Sequence, residues 1–104
     1  MPNVHKKIGI LLATYNGELF LKAQLDSLLS QTHKNIFIII RDDQSTDRTC
    51  NILRSYEDKY SDKIKVVDAE QSTLGASGNF SFLLSYGINF QVEFKLDYFA
   101  FLSL

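Results

Sequence analysis

One cysteine, one proline, no tryptophan and only two histidines in 104 residues remove several protein classes at once. Cys50 has no partner for an internal disulfide, so the chain does not read as a disulfide-stapled secreted scaffold. His5 and His33 have no partner at metal-ligand or acid–base spacing, and surface or turn roles fit both. Eleven basic and twelve acidic residues leave a net charge of −1, which lacks the basic excess of a nucleic-acid surface. No apolar run approaches the ~20 residues that cross a bilayer. The basic start, Met1 to Lys7, leads into a run too short and too strand-like for a signal peptide. There is no G-x-G-x-x-G after the first apolar run, no Walker A pattern and no nucleophile elbow. The expectation is one cytoplasmic domain over residues 1–104, with 45% hydrophobic and 22% charged residues as in an ordinary globular fold.

What is present centres on Ile36-Phe37-Ile38-Ile39-Ile40-Arg41-Asp42-Asp43-Gln44-Ser45-Thr46-Asp47. A continuous, β-branched run predicts a strand covered on both faces, as in a parallel sheet. Asp42 and Asp43 then sit at its carboxyl end, the edge where open α/β sheets bind ligands. Equally, the pair opens a turn and the next helix, where acids are favoured. Ile8 to Thr14 is a first strand, closed by the turn signal Tyr15-Asn16-Gly17. A helix starts at Glu18 with Leu21, Leu25, Leu28 and Leu29 on one face. A second helix runs from about Asp47 to Tyr60, capped by Ser45 or Thr46, with Ile52, Leu53, Tyr56 and Tyr60 inward and Cys50 as a small core residue. Ile64 to Val67 is a third strand. A third helix spans about Ser77 to Tyr86 and uses Phe80, Leu83 and Leu84. The alternation β-α-β-α-β-α predicts a Rossmann-like, three-layer α/β/α fold with a mostly parallel sheet.

The C-terminal stretch has another rhythm. Ile88, Phe90, Val92, Phe94, Leu96 and Tyr98 alternate with polar residues, which predicts a half-buried strand. Tyr98 to Leu104 is apolar on both faces, like an inner strand. A long terminal strand leaves unpaired backbone groups, and pairing with a second copy of the chain is expected through it.

Ala13-Thr14-Tyr15-Asn16-Gly17-Glu18, then Gln24 to Thr32, then Asp42-Asp43-Gln44-Ser45-Thr46-Asp47 resemble, in order and spacing, three stretches of the family 2 glycosyltransferases. Leu74-Gly75 with Asn79-Phe80 is similar to a further block, and Tyr98-Phe99-Ala100-Phe101 to the next strand. The nearest resemblance is to bacterial enzymes that build cell-surface polysaccharides, including rhamnosyltransferase-like members. The resemblance implies the nucleotide-binding half of a GT-A fold, a UDP- or dTDP-sugar donor, and a glycan or lipid-linked acceptor. It also implies association of a full-length relative with a membrane surface.

Carried over residue by residue, it places Ala13, Thr14, Tyr15, Glu18, Asp43, Gly75 and Asn79 at the nucleotide-sugar site. Tyr15 lies against the base, where stacking is worth about 1–3 kcal/mol in nucleic-acid systems, or fills a gap at a strand end. Asp43 accepts only, and so reads the ring N–H of uracil or thymine. Asp42 holds the loop and Asp47 starts the helix. Glu18 borders the pocket or serves the helix dipole. Gly75 and Asn79 approach the sugar or diphosphate, or form a turn and a helix start. The family holds Mg²⁺ or Mn²⁺ through an Asp-x-Asp after its fourth strand. Here Ser103 stands where the first acid belongs, and Leu104 follows. The expectation is therefore a half-enzyme, cut short or altered near its end, with no cofactor of its own and no transfer activity. The competing readings are a non-catalytic nucleotide-binding module or remnant, and a phosphate-receiver-like domain. The latter needs acids near the first strand and an acceptor Asp after the third.

Overall fold

The computed structural model describes residues 7–30, 35–67, 73–94 and 98–103. His5, His33 and most of the polar loop after the third strand lie outside them. The elements are β1 (Ile8–Thr14), α1 (Glu18–Leu29), β2 (Ile36–Asp42), α2 (Thr49–Lys59), β3 (Ile64–Val67), α3 (Gly75–Phe94) and β4 (Tyr98–Ser103). Their sheet has the order β3-β2-β1-β4, and every pair is parallel. The chain first steps outward from β1 through β2 to β3, then returns across the sheet to β4. Strand order therefore reverses beside β1, and the carboxyl edge at such a reversal is where these sheets hold ligands.

The period of two divides the inner strands between two layers. Ile10, Leu12, Ile38, Ile40, Ile64 and Val66 meet Leu21, Leu25 and Leu28 of α1 and Leu53 of α2. Leu11, Ala13, Ile39 and Val67 meet Leu83 of α3 on the opposite face. Both faces of β1 and β2 are thus covered, which explains their unbroken apolar runs.

The strand expected from Ile88 to Tyr98 is overturned as far as Phe94, to which α3 runs on; residues 95–97 lie outside those described, and Tyr98 opens a strand. Alternation at i, i+2, i+4 also supplies the i, i+4 spacing of a helix. Extending a formed helix fixes one residue per hydrogen bond, whereas a new element needs a new nucleus. The place beside β1 is taken by β4, in register from Ile8↔Tyr98 to Ala13↔Ser103. Within α3 only Leu83 of the three expected core residues is buried; Phe80 and Leu84 are exposed. Phe80 instead lies against Phe101 of β4, with ring centroids 4.2 Å apart.

The start of α2 also differs from expectation. Its N-cap is Arg48, with no side-chain cap bond. Asp47 does the capping chemistry one residue earlier, its carboxylate accepting the Thr49 N–H at 2.9 Å. Ser45 and Thr46 are engaged elsewhere, in the loop described below. Cys50 is exposed rather than in the core. Its thiol donates to Asp42 at 3.2 Å, and partial burial together with that carboxylate pushes its pKa up to about 11.

Gly75 opens α3 at φ +77°, and a Cβ there would meet nothing within 4 Å. Its requirement is conformational and not spatial. Gly75→Ala should cost about 1–2 kcal/mol from the left-handed backbone alone, read as a lower urea midpoint with an unchanged slope.

Candidate functional site

The site is built by two loops at the carboxyl edge. β1 runs into Tyr15 and Asn16, β2 into Asp43 and Gln44. Asn16 (φ 49°) and Gln44 (φ 59°) both take the left-handed backbone, so each chain turns sharply away from its strand. The Asp43 N–H donates to the Thr14 carbonyl at 2.9 Å, which keeps the two loops parallel one residue beyond the sheet.

Side chains then latch one loop to the other. The Asn16 N–H donates to Ser45 Oγ and the Thr46 N–H to Asn16 Oδ1, each at 2.7 Å. The Gly17 N–H donates to Thr49 Oγ1 at 2.9 Å. The Glu18 N–H donates to Asp47 Oδ2 at 3.2 Å, so one carboxylate serves the first turns of both α1 and α2. Loss of solvent works against charge on Asp47, but the bonds from Thr49 and Glu18 outweigh it and lower its pKa. Asp42 ties the arrangement to the sheet. It accepts from the Thr14 hydroxyl at 2.7 Å, the Ser45 N–H at 2.8 Å and the Ser45 hydroxyl at 2.6 Å.

Between β1, the β2 loop and the start of α3 lies a cleft of about 290 Å³, lined by Ala13, Thr14, Tyr15, Asp43, Thr73, Gly75, Ala76 and Asn79. It gathers every residue carried over from the resemblance except Glu18. That carboxylate turns instead toward α2 and accepts from the Arg48 N–H at 3.4 Å. Tyr15 is half exposed, presenting an aromatic ring to the cleft. Asp43 is buried at its base, 3% exposed. Its Oδ1 accepts from Arg41 Nη1 at 2.9 Å and the Leu74 N–H at 2.8 Å; its Oδ2 accepts from the Gly75 N–H at 2.8 Å. Burial alone would raise its pKa, yet these bonds and the Arg41 charge bring it below the ordinary 3.8.

Two polar participants escaped the motif reading. Arg41 is 1% exposed, and its Nη1 also donates to Asn79 Oδ1 at 3.0 Å. Thr73 sits at the cleft mouth and donates its hydroxyl to Gln44 at 3.1 Å. The signal for Arg41 was its parity: on an extended chain it shares a side with Asp43, two residues on.

A larger hollow of about 560 Å³ lies between α1 and α2, away from the strand ends. There Tyr56 donates to Asp26 at 2.6 Å across a groove lined by exposed polar side chains. It gathers no groups at a strand end. Among the described residues, no three His, Cys, Asp or Glu side chains converge as a metal site.

The family model for Glycosyl transferase family 2 matches residues 9–87, which takes in both loops and the start of α3. The chain belongs to that family. It is 40% identical over 65 residues to the putative glycosyltransferase EpsE of Bacillus subtilis, covering 62% of this chain and 23% of EpsE. It is 39% identical over 69 residues to the dTDP-rhamnosyl transferase RfbG of Shigella flexneri, covering 66% of this chain and 24% of RfbG. The crystal structure of S. aureus TarS 1–349 in complex with UDP-GlcNAc superposes with a TM-score of 0.69 at 24% identity, over 93% of this chain and 26% of that one. The three-layer α/β/α fold with a parallel sheet expected from the sequence is shared with TarS. The chain spans about a quarter of each of these relatives.

Proposed function

We propose that the chain is the donor-binding half of a glycosyltransferase that moves a sugar from a UDP- or dTDP-sugar to a glycan or lipid-linked acceptor in polysaccharide synthesis. The observation that carries this is the cleft, where an exposed aromatic ring and a buried carboxylate come from neighbouring inner strands. A carboxylate offers about four acceptor positions. Asp43 has three filled by protein donors, so one is left on Oδ2 for a ring N–H. Uracil and thymine carry such an N–H; the matching nitrogen of cytosine is an acceptor and would be repelled. The name of RfbG, a dTDP-rhamnosyl transferase, and the complex of TarS with UDP-GlcNAc fit a pyrimidine donor.

The family's metal fits these residues poorly. Ser103, which stands where the resemblance puts the first acid of the metal motif, pairs in register with Ala13, and serine is a weaker type of ligand for a hard dication than a carboxylate. We therefore assign donor recognition, and not transfer, to these 104 residues. Titration calorimetry should show UDP binding weakly, CDP at least tenfold more weakly, and Mn²⁺ changing either affinity by less than about twofold, since the aromatic contact and one hydrogen bond are each worth about 1–3 kcal/mol. Equal binding of CDP and UDP would overturn the base assignment, and strict dependence on metal would overturn the assignment of the metal site.

Work in the cytoplasm, and at a membrane surface in a full-length relative, belongs to the same proposal; no helix among the described residues is long and apolar enough to cross a membrane. So does pairing with a second copy, now through β4 alone. That strand is at the sheet edge and carries no charge along Tyr98–Ser103 to deter another strand. Sedimentation should show a dimer that Ala100→Lys disperses; a monomer at high concentration rejects it.

A further inference from the structure

Arg41 is a cation on an inner strand, 1% exposed, and it does not line the cleft. A buried guanidinium is costly unless it is paired and hydrogen-bonded. Here the pairing is specific. One nitrogen, Nη1, bridges Asp43 Oδ1 at 2.9 Å and Asn79 Oδ1 at 3.0 Å. The guanidinium carbon lies 5.0 Å from the centre of the Phe82 ring, within cation–π range. Both Asn79 and Phe82 belong to α3, so the contact links the strand that carries Asp43 to the helix that closes the cleft. The remaining donors to Asp43, the Leu74 and Gly75 N–H groups, come from the start of the same helix.

We infer that Arg41 is the positioning residue of the base-reading site: by holding Oδ1 of Asp43 against α3, it leaves Oδ2 as the acceptor offered to the nucleobase. The inference rests on the nucleotide reading above and adds the group that orients the reader. Arginine is required because one planar head must reach two acceptors while its face lies on a ring. The lysine ammonium keeps the charge and can donate more than once, but has no such face. Without the guanidinium, Asp43 keeps its buried place with fewer donors, which favours the protonated carboxyl. A proton on Oδ2 presents an O–H to the base N–H, donor against donor, and a proton on Oδ1 leaves Oδ2 a neutral carbonyl, a weaker acceptor than the carboxylate. Among the described residues, the groups that face Asp43 are Arg41 from β2, Tyr15 from the loop after β1, and Thr73, Asn79 and the Leu74 and Gly75 amides from the α3 side; Arg41 is the one charged group among these.

The test is UDP affinity from pH 5 to 8 for the chain and its Arg41→Lys and Arg41→Met variants, expressed as the variant-to-parent ratio so that the ligand's own titration cancels. Alongside it, the Asp43 carboxyl carbon is titrated by NMR without ligand, and circular dichroism reports folding. The expected result is a ratio that worsens at least tenfold as the pH falls from 8 to 5 for Arg41→Met, with the Asp43 titration moved upward. Arg41→Lys should keep the charge and lie between. A folded variant with the same ratio at every pH and an unmoved Asp43 titration overturns the inference. Should Arg41→Met fail to fold, Arg41→Lys decides: parental affinity overturns the inference, and a loss of about tenfold supports it. If the parent chain binds no UDP, the nucleotide reading fails on its own, and the carboxyl titration still reports whether Arg41 governs Asp43.

Discussion

Asp43→Ala should destabilise the chain by about 3–5 kcal/mol and abolish UDP binding, and the first effect should be partly reversible without the second. Removing the carboxylate leaves the Arg41 charge buried with its ion-pair partner gone, which is the costly way to break a buried pair. A chain of 104 residues has a total stability of the order of 5–15 kcal/mol, so toward the lower end of that range a visible fraction of this variant is unfolded at room temperature. Adding Arg41→Met removes the stranded charge and supplies an unbranched apolar side chain against Phe82. Part of the stability should return in urea unfolding, because the stranded charge is gone, while the Leu74 and Gly75 N–H groups still lack their acceptor. UDP binding should not return, because no acceptor remains for the base. Recovery of both would mean that the cleft does not read the base through Asp43.

The acid limb of the same experiment has a defined sign. The Asp43 pKa is lower in the folded chain than its ordinary 3.8. The stability it contributes is therefore fully present above that value and is lost as pH falls through the folded value. The double variant should show a shallower decline in stability below pH 3.8 than the parent chain.

The two inner strands were legible because burial on both faces leaves an unbroken apolar run, and few other environments select such a run. The C-terminal part of α3 was not, because Ile88, Phe90, Val92 and Phe94 satisfy a period of two and a spacing of four together. Local pattern could not choose; the choice was made by β4 taking the place beside β1. The cleft was legible through motif order, which marked the two loops, but not through chemistry. Neighbouring carboxylates look alike in sequence, and Asp42 and Asp43 leave opposite faces of the sheet to do different work. Arg41 escapes a sequence reading because a charge at the end of an apolar run marks the point where a strand ordinarily meets water. Its burial follows from tertiary structure, from Asn79 and Phe82 thirty-eight and more residues away.

Asp42→Ala should separate the neighbouring acids most sharply. Asp42 is 5% exposed and accepts from the Thr14 hydroxyl, from Ser45 twice and from the Cys50 thiol. None of these partners belongs to α3, and none is a cation. Truncation strands no buried charge, but it leaves the Thr14 hydroxyl, 1% exposed, and the Ser45 N–H without their acceptor. Each such loss costs about 1–3 kcal/mol, so about 2–6 kcal/mol is expected, read as a lower urea midpoint. The Cys50 thiol, held near 11 partly by this carboxylate, should fall toward its ordinary value and react faster with a thiol reagent at pH 8. UDP affinity, measured where the variant is still folded, should drop by less than about tenfold, because Asp43 keeps its three donors and the loss is one of loop order only. Loss of UDP binding from folded Asp42→Ala, with binding retained in Asp43→Ala/Arg41→Met, would reverse the assignment. The reader of the base would then lie on the α1/α2 face of the sheet and not on the α3 face.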